Sequence, residues 1–281
     1  MMYHASIRNS YGKTLVLTDN QMFDVVEIDG LDPPDVVLNM SHEIGADGSV
    51  FNSSYVDNRQ IIITLAISKG CGSVRDTLYQ FFQQKKQLTL MFSNDVRDVK
   101  ISCYVKSFRI SIFAKKQTVQ ITLICPKPYF DNSYSLTYAV PMMDGTLSFP
   151  IEFSAEGMEF SNTAVIKDII NSGDCETGIT ATMRFFFETK NPVIRNMTTG
   201  DYFGIGLTLN VGDTISFCTV NKNKYANRIT SGGTVSSVAT KLIPGSSWIQ
   251  MVPGENLLSL DSDDGVYFDA TIEITAQYMG V

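Results

Sequence analysis

The sequence predicts a mainly β protein in two domains, and three observations carry that reading. Short runs in which apolar and polar residues alternate recur along the whole chain. Only one stretch, residues 72–86, places its apolar residues at helical spacing instead. The 281 residues are 44% hydrophobic and 11% aromatic against 18% charged, enough apolar side chain for one or two cores and too much for a disordered chain.

The first half reads as an antiparallel meander with one helix. In IGADGSVF (44–51) the Asp47-Gly48 dipeptide has the chemistry that closes a tight hairpin. In RQIIITLAISK (59–69), Ile61, Ile63, Leu65 and Ile67 alternate with Ile62, Thr64 and Ala66, which predicts a strand buried on one or both faces. GSVRDTLYQFFQQKK (72–86) follows as a helix whose stripe is Val74, Leu78, Phe81 and Phe82. Ser73 is placed to cap its first turn with Asp76 three residues on, and Lys85 and Lys86 are placed in its last turn against the negative end of the dipole. Strands are then expected at 87–92, 99–108, 109–113 and 118–125, separated by the polar turns SNDVRD and AKKQ.

Two prolines and a polar run in CPKPYFDNSYS (125–135) break this pattern. A boundary is placed there, giving domains at 1–130 and 131–281. Beyond it, TLSFPIEF, TAVIKDII, ITATMRFFF, YFGIGLTL, TISFCTV, NLLSL and ATIEITAQY read as short strands with turn clusters between them. This cadence suits a two-sheet β-sandwich of jelly-roll or lectin-like type. NPVIRNMTTGDYFGIGLTL (191–209) reads as one strand reversing into the next rather than as the lip of a ligand site.

The residues offer little chemistry. His4 and His42 are the two histidines, and neither accompanies a nucleophile motif, which disfavours Ser-His-Asp and Cys-His catalysis. Cys71, Cys103, Cys125, Cys175 and Cys218 are widely spaced, with no C-x-x-C, and read as buried reduced thiols rather than zinc ligands or disulfides. On that basis the sequons at Asn39, Asn52 and Asn196 are chance matches. DSDDG (261–265) lacks calcium-loop spacing and reads as a turn. Paired carboxylates for glycoside hydrolysis rank low, since sequence cannot set their separation. No catalytic, cofactor-binding or metal-binding residue is assigned. Trp248, beside Ile249 and Met251, reads as core filler ahead of a sugar-stacking platform.

The formal charge of -7 is uneven. Residues 1–134 hold 14 Lys/Arg and 13 Asp/Glu, and residues 135–281 hold 8 and 16. The acidic second half repels phosphate backbones and the first half has no dense basic patch, so specific nucleic-acid binding is not expected. No run of 18 apolar residues is present and the first 20 residues lack signal-peptide features, so neither membrane insertion nor secretion is expected.

Taken together, several stretches resemble the distal tail protein (Dit) family of siphophages. In the first half these are GLDPPDVVLNMSHEIGADGSVFNSSYVDNRQIIITL (30–65), the helix after it and ITLICPKPYF (121–130). In the second they are NSGDCETG (171–178), NPVIRNMTTGDYFGI (191–205), LNVGDTI (209–215), PGSSWIQMVPGEN (244–256) and the closing YMGV (278–281). The resemblance implies a belt domain of strands plus one helix that closes into a homo-hexameric ring, with a galectin-like β-sandwich outside it. It further implies a structural virion hub at the distal tail tip, made in the host cytoplasm. Its partners would be the tail tube protein, a tail-tip or tail-associated protein and receptor-binding proteins, with DNA passing through the lumen and no reaction or cofactor. Lumen-facing residues are expected to be acidic or neutral. The sugar-binding cluster of galactoside lectins needs a His, and the second half has none, so a protein-docking role is expected for the outer domain. The alternative reading is a carbohydrate-binding module that attaches a tail or enzyme to the cell surface; a glycosidase or esterase ranks third.

Overall fold

The computed structural model describes residues 3–45, 47–68, 71–141, 144–145, 161–162 and 166–281. The predicted strand TLSFPIEF and the opening of TAVIKDII lie outside them. The chain divides into two compact units, residues 1–133 with 277–281, and residues 134–276.

The first unit opens with β1 (His4–Asn9), β2 (Thr14–Val16) and β3 (Phe23–Asp29). A separate hairpin follows, β4 (Val36–Ser41) and β5 (Val50–Val56). Then come β6 (Arg59–Ile67), the helix α1 (Cys71–Phe81), β7 (Gln87–Ser93), β8 (Asp98–Ile110), β9 (Thr118–Cys125) and β10 (Phe130–Asn132). The main sheet runs β2-β1-β7-β8-β9-β6-β3, antiparallel throughout. Period-2 alternation sends Ile61, Ile63, Leu65, Val119, Ile121, Leu123, Leu88, Leu90, Val99 and Ile101 to one buried face. The two strands expected at 99–108 and 109–113 are one strand. A bulge between Val105 and Ser107 absorbs the irregularity, and Phe108 stays in register with Ile121 beyond it.

Helix α1 buries the predicted stripe: Val74, Leu78, Phe81 and Phe82 all lie in the core. Its ends differ from the expectation. The helix starts at Cys71, which puts Ser73 inside it, where the Ser73 carbonyl accepts the Thr77 hydroxyl at 2.9 Å. It ends at Phe81, so Lys85 and Lys86 fall in the turn to β7, with Lys85 at φ 64°. Aromatic packing overrides the charge signal here: Tyr79 and Phe82 sit with ring centroids 5.1 and 6.2 Å from Phe108. Phe82 still donates its N–H to the Leu78 carbonyl, and the chain then turns into β7.

The second unit comprises β11 (Leu136–Val140), β12 (Asp144–Gly145), β13 (Ser161–Asn162), β14 (Ile166–Asn171), β15 (Thr177–Arg184), β16 (Thr189–Lys190), β17 (Val193–Asn196), β18 (Tyr202–Gly204), β19 (Thr208–Leu209), β20 (Thr214–Cys218), β21 (Tyr225–Ile229), β22 (Val235–Ser237), β23 (Gln250–Met251), β24 (Gly254–Asp261) and β25 (Asp269–Ile274). Two sheets, β11-β25-β15-β20-β21-β22 and β14-β24-β17-β18, share one core. Phe203 of the smaller sheet stacks on Phe217 of the larger, centroids 4.1 Å apart and planes 15° from parallel. A sandwich of two antiparallel sheets results. At the rim of the larger sheet, buried Asp213 takes the Arg228 guanidinium at 2.5 and 3.0 Å. The predicted runs YFGIGLTL and ATIEITAQY are each broken. Ile205 bridges to Leu242 rather than extending β18.

The second break returns the chain to the first unit. Past Ala276, β26 (Gln277–Tyr278) pairs with β10, Phe130 opposite Tyr278. The sequence reading carried 131–281 as one domain; the pairing of residues so far apart in the chain has no local signature. Arg59, 4% exposed, explains why the return holds. Its guanidinium donates to the carbonyls of Pro128 (2.6 Å), Gly30 and Asp32 (2.7 Å each) and Met279 (2.5 Å), and lies 4.6 Å over the Phe130 ring. Burial lowers its pKa and the nearby Asp32 carboxylate opposes that shift. An always-charged planar donor is therefore spread over four acceptors. Arg59→Ala is expected to destabilise the first unit by about 3–5 kcal/mol, because four backbone carbonyls lose their donor together. Denaturant midpoints check this, and Arg59→Lys should recover only part of the loss.

Candidate assembly surface

The β4–β5 hairpin stands apart from the main sheet. Its register pairs Val36 with Val56, Leu38 with Ser54 and Met40 with Phe51, and a bulge after Asn39 keeps the last pair on the same face as the others. One face thus carries Val36, Leu38, Met40 and Phe51, each 50–56% exposed. The opposite face is more polar: Asn39 donates to the Ser53 hydroxyl at 2.9 Å, beside Val37 and Tyr55. Around the tip, Gly45 and Gly48 take φ of 84° and 96°, and His42 Nδ1 lies 2.9 Å from the Gly48 carbonyl. A two-stranded ribbon with a bare apolar face is marginal in water. Covering the four apolar side chains from half exposure is worth roughly 1 kcal/mol each, on the order of 4 kcal/mol together. The ribbon therefore has the composition of an arm that docks. Sequence reasoning found its turn and missed its face, whose signal is the pair of alternating runs VVLNMS and VFNSSYV on either side of the glycines.

Elsewhere the weighed chemical candidates stay apart. His4 starts β1 and His42 lies in the hairpin loop, both exposed. Cys103, Cys125, Cys175 and Cys218 are buried and form no disulfide. The Cys103 thiol is pushed up by its hydrogen bond with Cys125 and by burial, and Cys175 by burial and then the nearby Asp174. Raised pKa values keep the Cys103 and Cys175 thiols protonated and poorly nucleophilic. No group of three or more His, Cys, Asp or Glu able to hold a metal occurs among the described residues. In DSDDG the carboxylates serve the backbone: Asp264 accepts the Lys190 N–H and the Ser262 hydroxyl, and Asp263 accepts the Asn191 amide. Desolvation pushes Asp264 up, and these bonds with that from Val266 outweigh it and hold the group below its usual value. A cleft of 480 Å³ lined by Asn9, Tyr11, Lys13, Gln80 and Gln83 holds neither a carboxylate nor a His.

Trp248 is half-buried against the second core, its ring 5.5 Å from Phe203 and 5.9 Å from the Lys224 ammonium. A sugar stacks only on a bare indole face. Within 191–209 the chain reverses between β17 and β18: Asn196 turns it by accepting the Thr198 N–H and donating to the Asn256 side chain, and Gly200 takes φ 81°.

Residues 10–125 match a family model described as the phage tail protein RIFT-related domain. Over the whole chain, the crystal structure of the SPP1 Dit protein superposes with a TM-score of 0.67 at 13% identity, covering 97% of this chain and 98% of that one. That protein is described as a paradigm of the hub adsorption apparatus in phages infecting Gram-positive hosts. A chain of the phage P2 baseplate in its activated conformation gives 0.52 at 11% identity, with both chains fully covered. No curated protein matches by sequence. The resemblance to siphophage distal tail proteins drawn from the sequence stands: a mainly β chain with the distal tail fold, whose residues 10–125 match a phage tail family model. The matched segment contains the whole β4–β5 arm. For the second unit, Trp248→Ala is expected to cost roughly 2–4 kcal/mol of stability, as for a large side chain leaving a core. Calorimetry of the variant checks this, and a stability unchanged within 0.5 kcal/mol would return Trp248 to the role of a surface platform.

Proposed function

We propose that this chain is the distal tail hub of a siphophage: six copies close into a ring at the tail tip, joining the tail tube to the adsorption apparatus and leaving a lumen for DNA. The observation that carries this reading is the β4–β5 arm, an apolar ribbon inside the segment that matches a phage tail family, its Val36, Leu38, Met40 and Phe51 standing exposed among the described residues. Docking the arm on a neighbouring copy gives a heterologous contact, and such contacts close into rings when the rotation allows. Free edges at β2 and β3 offer further backbone pairing between copies. The second unit is the galectin-like outer domain and serves as a docking platform for tail-tip and receptor-binding proteins. The packing of Trp248 against Phe203 and the second core supports this over glycan capture. The chain works by shape and performs no reaction. Its place is the virion, after synthesis in the host cytoplasm.

Light scattering with negative-stain imaging tests the reading: a mass near six subunits and a central hole are expected. Leu38→Lys with Phe51→Glu should shift the protein to monomers by removing about 2 kcal/mol of apolar burial per contact and adding charge, while the melting of the isolated subunit stays within a few degrees. An unaltered chain that remains monomeric at high concentration would overturn it.

A further inference from the structure

The arm leaves β3 through residues 30–35, and this root is set from an unexpected place. Gly30 takes φ +87°, and a Cβ there would meet the Gln60 carbonyl at 2.2 Å, so the departure angle is fixed by a glycine pressed on β6. The next constraint comes through three consecutive carbonyls. Those of Gly30 and Asp32 accept from Arg59, and that of Leu31 accepts the Val281 N–H at 3.2 Å. The other arm of the Arg59 guanidinium is held by the Met279 carbonyl. Gly280 lies so close that a Cβ would sit 3.1 Å from the Leu31 carbonyl and 3.2 Å from the Pro33 ring. On its far side the 277–281 segment is clamped by Arg97, which donates to the Gly280 carbonyl at 2.6 Å and lies 4.5 Å over the Tyr278 ring.

We infer that the 277–281 segment sets the orientation of the β4–β5 arm, so that a copy becomes able to join its neighbours only after the second unit has been made. The inference rests on reading the arm as the contact between copies. All of residues 134–276 are translated between the arm and the segment that orients it. At ribosomal speeds that interval is roughly ten seconds, long enough for neighbouring nascent chains to meet. An arm left swinging during that interval lacks the fixed geometry that ring closure needs, so premature association of unfinished chains is avoided.

The test is hydrogen exchange read by mass spectrometry, with light scattering on the same samples. It compares the unaltered chain with a full-length Tyr278→Ala variant, which loosens the segment at its pairing with Phe130 and its contact with Arg97 and alters no residue that touches the root. At least tenfold faster exchange at residues 30–35 and 57–58, unchanged protection in β9 and β15, and loss of oligomer are expected. Unchanged exchange at the root overturns the inference, whatever the mass. A loosened root in a variant that still assembles overturns the link between the segment and assembly. If protection in β9 also collapses, Arg97→Ala, which removes the clamp from outside the root, decides by the same readings. Should the unaltered chain itself be monomeric, the inter-copy reading fails, and exchange at the root still shows whether 277–281 sets it.

Discussion

One buried guanidinium organises the first unit. Arg59 cannot shed its charge and cannot be left unpartnered at 4% exposure, so the chain must bring acceptors to it. They come from the loop before the arm, from the turn after β9 and from a segment 220 residues away in sequence. Local sequence supplies the strand that carries Arg59, but only tertiary closure satisfies the side chain. The same demand explains why the root of the arm, which is otherwise a loop rich in proline and aspartate, has a defined course.

The two units solve the burial problem differently. In the first, one large sheet and a single helix bury alternate strand residues, with Phe108 wedged between Tyr79 and Phe82. In the second, two sheets face one another across Phe203 and Phe217, and polar rims are tied by buried side chains such as Asn196, Asn256 and Asp213. Neither unit gathers nucleophile, base and oxyanion donors in one place among the described residues. What they do present is surface, and the arm is the surface least reconciled with water.

Legibility followed periodicity. The strands at 59–67, 87–93 and 118–125 were readable because both neighbours in the sheet bury the same alternate residues, which writes period 2 directly into the chain. The helical stripe was readable for the same reason, whereas its ends were not, because packing of Phe82 near Phe108 outranked the capping and dipole signals at Ser73, Lys85 and Lys86. Strands β1 to β3 escaped notice, being short or interrupted by bulges and turns. The apolar face of the arm was illegible for a deeper reason: its pattern is that of a buried strand, and nothing in the run itself says that these residues stand exposed on their own unit. Arg59 looked like an ordinary charged residue at a strand end, since its acceptors are backbone atoms, which leave no mark in the sequence.

The return of the chain through β26 has a further consequence. Asp131 lies opposite Gln277 in the β10–β26 pair, and within the second unit Leu136 lies opposite Ile274, with Ser135 and Thr275 joined through their hydroxyls at 2.8 Å. Both strands of the crossing are thus stapled on either side of it, so residues 134–276 enter and leave the second unit side by side. Closely spaced ends are the condition under which one domain can be spliced into another without rethreading either. Genetic exchange can therefore replace residues 134–276 wholesale while the first unit keeps its register, so the two units are free to diverge at different rates.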